Sequence, residues 1–181
     1  MIKSIVITLL LLMASATAGE SERPLKKYKN IDYNYYFWLY KTKKYEVTII
    51  TDEVVENFIS EDELQRYIKL RMKNFAHGVE LGLEYEGYEY NYILLTIDLS
   101  KYNESSEIYT GLISFKAYPS ATIPDQGLFN VYEIIYPIAG SDKQIRSFIK
   151  DSIDAMVESF AEDYFYIEEL DKLKQNGTLT D

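Results

Sequence analysis

The chain has no cysteine and one histidine, and these two scarcities remove more chemistry than any motif adds. Without cysteine there is no thiol nucleophile, thiolate metal site, redox pair or disulfide. The same absence leaves no residue to carry the lipid of a bacterial lipoprotein. His77 alone cannot build a histidine metal centre. Glycine is sparse and scattered: Gly78, Gly82 and Gly87 are spread along a strand pattern, with none of the clustering that cradles a phosphate. Past the first eighteen residues no apolar run approaches the twenty or so that a spanning helix needs.

Those first residues, MIKSIVITLLLLMASATA, combine a positive start at Lys3, an apolar stretch from Ile5 to Met13 and small residues at Ala16-Thr17-Ala18. This pattern predicts a cleavable secretory signal over 1–18, releasing a chain that begins at Gly19. A domain without disulfides fits a bacterial envelope better than an animal secretory route, so the expected location is the periplasm or the bacterial exterior. Asn103-Glu104-Ser105 and Asn176-Gly177-Thr178 match glycosylation sequons, which matter only in a eukaryotic pathway.

Charge divides the mature chain. Between Arg23 and Lys44, seven bases (Arg23, Lys26, Lys27, Lys29, Lys41, Lys43 and Lys44) stand against a single acid, Asp32, whereas Tyr45 to Asp181 carries 11 bases against 26 acids. A body this acidic repels nucleic acid, so none is expected as a partner. The organisation read from these shifts is a basic, aromatic segment over 19–44, one domain over 45–175 and a polar tail over 176–181.

Periodicity supplies the elements. Tyr45 to Thr51 is β-branched and predicts a strand. Ser60-Glu61-Asp62-Glu63 predicts a capping box opening a helix with Leu64, Tyr67, Ile68, Met72 and Phe75 on one side and Gly78 closing it. Val79 to Glu86 alternates strictly, Tyr88 to Leu99 turns apolar on both faces and so belongs at the sheet centre, and Ile108 to Tyr118 and Leu128 to Ile138 follow as strands. Pro119 to Gly127 reads as the longest loop. Ser141, with Gln144 three residues on, caps a final helix whose stripe runs from Ile145 through Phe148, Ile149, Ser152, Ile153, Met156, Val157 and Phe160 to Tyr164. The predicted fold is a two-layer α+β domain, order β-α-β-β-β-α. Its antiparallel sheet has four to five strands, with both amphipathic helices on one face and the other face left open.

No reaction emerges from these residues. His77 could serve a Ser-His-Asp arrangement, but it sits at a helix end that suits a partly charged imidazole, and no G-x-S-x-G elbow accompanies it. Glu80, Glu84, Glu86 and Glu89 could pair for acid–base hydrolysis or gather a calcium ion, yet alternation with apolar residues is what solvent-facing glutamates also produce. No cofactor or metal is predicted. Tyrosine outnumbers phenylalanine 18 to 8, and Tyr35, Tyr36, Trp38 and Tyr40 beside Lys41, Lys43 and Lys44 form the candidate partner-binding patch. The alternative is that this run folds into the core. The expected function is an exported, non-enzymatic binding or envelope-assembly module for a protein or glycan partner, with peripheral membrane contact allowed. The competing reading is a small envelope hydrolase using carboxylates or His77.

Overall fold

The β-branched run predicted as the first strand opens a five-stranded sheet in the computed structural model of the chain, which describes residues 36–82, 90–119 and 131–177. After a short helix α1 (Trp38–Lys41) come β1 (Lys44–Thr51), α2 (Glu53–Glu56), α3 (Glu61–Phe75), β2 (Glu80–Gly82), β3 (Asn91–Lys101), β4 (Ile108–Tyr118), β5 (Tyr132–Ser141) and α4 (Asp142–Gln175). The signal segment, Tyr35, residues 83–89 with Glu84, Glu86 and Glu89, and most of the predicted loop after Pro119 lie outside the described residues.

The strands lie in the order β2-β1-β3-β4-β5. The fold is α+β with an open sheet, as the sequence predicts. The expectation of antiparallel pairing holds for β3 with β4 and β4 with β5. It is corrected at β1, which runs parallel to both β2 and β3. The reason at β1 and β2 is the connection: α2 and α3 carry the chain back to the end of the sheet where β1 began, whereas the short link 102–107 reverses it between β3 and β4.

Both long helices cover the same face. Ile93, Leu95, Ile97 and Leu99 of β3 are at most 2% exposed, as are Ile113 and Phe115 of β4. They meet Ile145, Ile149, Ile153, Met156 and Phe160 of α4 and Leu64, Ile68 and Met72 of α3, all fully buried. Phe160 is the aromatic hub, its ring 5.7 Å from Tyr45, 5.3 Å from Phe115 and 5.6 Å from Tyr132. The contacts with Tyr45 and Tyr132 are edge-on and that with Phe115 is tilted, geometries that add to what burial alone contributes.

The helix ends follow the predicted caps with one difference. Ser60 Oγ accepts the Glu63 amide at 3.3 Å, but the Glu63 carboxylate does not return to Ser60. It reaches α4 instead, accepting from Arg146 at 2.7 Å and Lys150 at 2.8 Å. Those two hydrogen-bonding cations hold its carboxyl below the usual range. Nearby, the Tyr67 hydroxyl donates to Asp154 at 2.8 Å, and Arg71 pairs with the same carboxylate. Polar side chains thus join α3 to α4 above their shared core. Past α3, Gly78 adopts φ +91°, the left-handed turn that ends the helix and that a side chain would strain. Ser141 and Gln144 form the predicted box on α4, whose 34 residues carry it well beyond Tyr164, with Ile167 also buried.

Candidate functional site

The aromatic segment proves to be built into the domain at its centre. Trp38 is 1% exposed and Leu39 is fully buried. Their backbone carbonyls are claimed from the strands: Asn91 Nδ2 donates to Trp38 O at 3.2 Å, and Tyr45 Oη donates to Leu39 O at 2.6 Å. Both donors are buried, which makes the seating of α1 specific. Trp38 Nε1 finds no acceptor among the described residues. Of the predicted patch, then, Trp38 presents no ring to a partner. Tyr36 and Tyr40 remain half-buried, edge-on to Tyr132 and Tyr164 respectively.

His77 is exposed in the turn after α3, and among the described residues no hydrogen bond joins it to a carboxylate or hydroxyl. Glu80 is exposed at the start of β2. No group of three or more His, Asp or Glu residues that could hold a metal ion occurs among the described residues. Two carboxylates do meet at the other end of the sheet, Asp52 beside Asp98. Partial burial pushes the Asp52 carboxyl up, but the amides of Leu99 and Val55, donating at 2.7 and 2.8 Å, hold it below the usual range. That carboxylate is a structural tie: it caps α2 and pins β1 to β3.

The face without helices has a different character. Cross-strand register sets Ile50, Thr96, Ser114 and Ile135 in one row and Asp98, Leu112 and Pro137 in the next. Ile50, Leu112 and Ile135 are 52, 54 and 50% exposed. On the other side of the Ile50 row lie Thr48, Leu94, Lys116 and Glu133, the last two paired at 2.8 Å. The row beyond is Glu46, Tyr92 and Tyr118. Tyr92 lies edge-on to Tyr90 at 5.1 Å, with the two hydroxyls hydrogen-bonded at 3.2 Å, and that shared bond, with desolvation and the nearby Glu46 carboxylate, pushes the Tyr90 hydroxyl up to about 12. The result is a set of exposed aliphatic side chains flanked by Asp98 on one side and by the Lys116–Glu133 pair on the other, with a tyrosine cluster at one end.

None of these residues was singled out from sequence, although a signal was present. Alternation along NYILLTIDLSK places Tyr92 and Leu94 opposite the buried set. The tyrosine bias toward half-wet positions is realised at Tyr90, Tyr92 and Tyr118 as well as at Tyr36 and Tyr40.

No protein-family model matches the sequence, and no curated protein matches it. Solved structures with a partly similar arrangement include a minor lipoprotein from Acinetobacter baumannii at 10% identity and a TM-score of 0.39, covering 67% of this chain and 91% of that one. A neuraminyllactose-binding hemagglutinin homolog from Helicobacter pylori aligns at 11% identity and a TM-score of 0.40, over 71% and 87%. An uncharacterized protein aligns at 4% identity and 0.43, over 66% and 90%. At scores below 0.5, what those chains bind is a property of those chains. Among the described residues, no helix is long and apolar enough to cross a membrane.

Proposed function

We propose that this chain is an exported, non-enzymatic binding module of the bacterial envelope that engages a protein partner through the open face of its sheet. One observation carries the reading: three aliphatic side chains at Ile50, Leu112 and Ile135, each about half exposed, lie in adjoining rows on the side of the sheet away from the two long helices. Exposed aliphatic side chains with tyrosines at one end and a charged border of Asp98, Lys116, Glu133 and Glu46 have the make-up of an apolar interface centre with a polar rim. Tyr36 and Tyr40 keep part of their rings at the surface and are secondary candidates. The signal-like N-terminus supports the compartment.

The test is capture of a partner from bacterial envelope extract by the mature protein, compared with the Ile50→Glu/Leu112→Glu variant. Loss of capture by a variant that melts like the parent supports the reading. Undiminished capture overturns it. Capture that instead disappears in Tyr36→Ala/Tyr40→Ala would move the surface to the aromatic segment.

A further inference from the structure

Pro137 stands in β5, an outermost strand of the sheet, with α4 lying along the same side. Among the described residues no strand pairs with the outer edge of β5, so part of its backbone hydrogen-bonding capacity faces outward. Proline at position 137 removes one donor but leaves the flanking residues able to pair. A groove of about 510 Å³ runs between this edge and α4. Its walls include Tyr136 and Ile138 from the strand and Phe148, Ser152 and Ala155 from the helix. Phe148 is 37% exposed, although the apolar residues that follow it in the helical stripe, from Ile149 to Tyr164, are core. Its ring lies so close to Gly140 that a Cβ there would sit 2.7 Å from it, so the strand yields its side chain to bring the phenylalanine to the groove.

The groove also has a charge. Asp151 is its one ionisable acid, and no lysine or arginine lines it. The rest of the molecule reinforces that sign, with a formal net charge of −10. An edge strand beside a helix, separated by an apolar trough, is the geometry by which folded domains add an extended peptide as a further strand. Backbone pairing selects an extended occupant, the trough selects apolar side chains on alternate residues, and Asp151 selects a cation among them.

We infer that the β5 edge and the α4 groove form a strand-addition site for an extended peptide that alternates apolar with small polar residues and carries one lysine or arginine beside Asp151. Such a strand would also continue the open face at Ile135 and Pro137, because side chains on β5 alternate between the two surfaces. The inference goes beyond the sheet-face reading, and the two fail separately.

The probe is a fluorescein-labelled octapeptide of alternating valine and threonine with one arginine, titrated against the mature protein by polarisation while amide shifts are followed by NMR. Saturable binding with shifts centred on residues 132–141 and 148–155 is expected. N-methylation of alternate peptide amides, on the side that faces the strand, should weaken it about tenfold or more, because every backbone donor the peptide offers to the edge is lost. Asp151→Asn should weaken the arginine peptide about two- to fivefold and leave an arginine-free peptide unchanged. Ala155→Trp, which fills the trough, should abolish binding, and Ser152→Arg provides a second blocking variant if the first fails to fold. Ile50→Glu/Leu112→Glu should leave the affinity within about twofold. Absence of saturable binding, or equal binding by the N-methylated peptide, would overturn the inference. So would a dimer that ignores the peptide and dissociates on Ala139→Lys, because the edge would then belong to a second copy.

Discussion

The two faces of this sheet are made by the same strands, one residue out of step, and they obey different rules. On β3 the helix side presents Ile93, Leu95, Ile97 and Leu99, none more than 2% exposed. The other side presents Tyr92, Leu94, Thr96, Asp98 and Ser100, all half-buried or exposed. Interior packing penalises any change of shape on the first side, whereas a surface strip is shaped by what it meets. Leu112 and Ile135 on the second side are as apolar as core residues and gain little stability within this chain. That asymmetry separates residues kept for folding from residues available for recognition.

The largest effects should therefore come from the helix side. Trp38→Ala and Phe160→Ala each remove a large ring from a fully packed site and should each cost about 3–5 kcal/mol. Denaturant unfolding followed by circular dichroism reads this directly. A loss below about 1 kcal/mol for Trp38→Ala would show that α1 is not part of the core and would return the aromatic segment to the recognition side of the comparison.

A smaller loss is expected at the polar joint beneath that ring. Tyr45→Phe keeps the aromatic contacts and removes the hydroxyl that donates to Leu39 O, leaving a buried carbonyl without its partner. The expected cost is about 1–3 kcal/mol. A neutral outcome would mean that packing alone seats α1.

Acid should act on the ties between elements before it acts on the core. The folded-state pKa values of Asp52 and Glu63 both lie below the ordinary carboxylate range. Each therefore contributes stability that is fully present above the unfolded carboxylate pKa and is lost as pH falls through the folded value. Unfolding free energy should decline as pH drops into the acid range, and Asp52→Asn/Glu63→Gln should flatten that part of the profile. An unchanged slope would show that neither tie contributes.

The helix-covered half was legible in the sequence because covering imposes periodicity. The capping residues Ser60 and Ser141, the stripe from Ile145 to Tyr164 and the central place of β3 all follow from patterns that a one-sided core requires. The direction of β1 was less legible, because alternation looks the same in parallel and antiparallel pairs and only the helical crossover decides. Glu63 was legible as a cap but not as the partner of Arg146 and Lys150, which lie more than eighty positions away. The open face was hidden for a related reason. Ile50, Leu112 and Ile135 come from three strands, and only cross-strand register puts them on one face in adjoining rows. Trp38 stayed ambiguous between patch and core, because an aromatic, basic segment has the same composition whether its rings are buried or displayed.

The smallest expected stability change distinguishes the faces most clearly. On the helix side an ionised glutamate would be buried without a partner, which interiors do not tolerate. On the open side, Leu112→Glu replaces a side chain already 54% exposed, and Ile50→Glu one that is 52% exposed. Substitutions at such positions usually change stability by no more than about 0.5 kcal/mol. Added charge in the strip would still oppose desolvation by an apolar partner. The double variant should melt within a few degrees of the parent and lose its partner, so that thermal unfolding and capture, measured on one preparation, give opposite answers. If the variant instead unfolds, the strip is a second core face that a segment of the same molecule must cover, and the comparison between a folding face and a recognition face collapses.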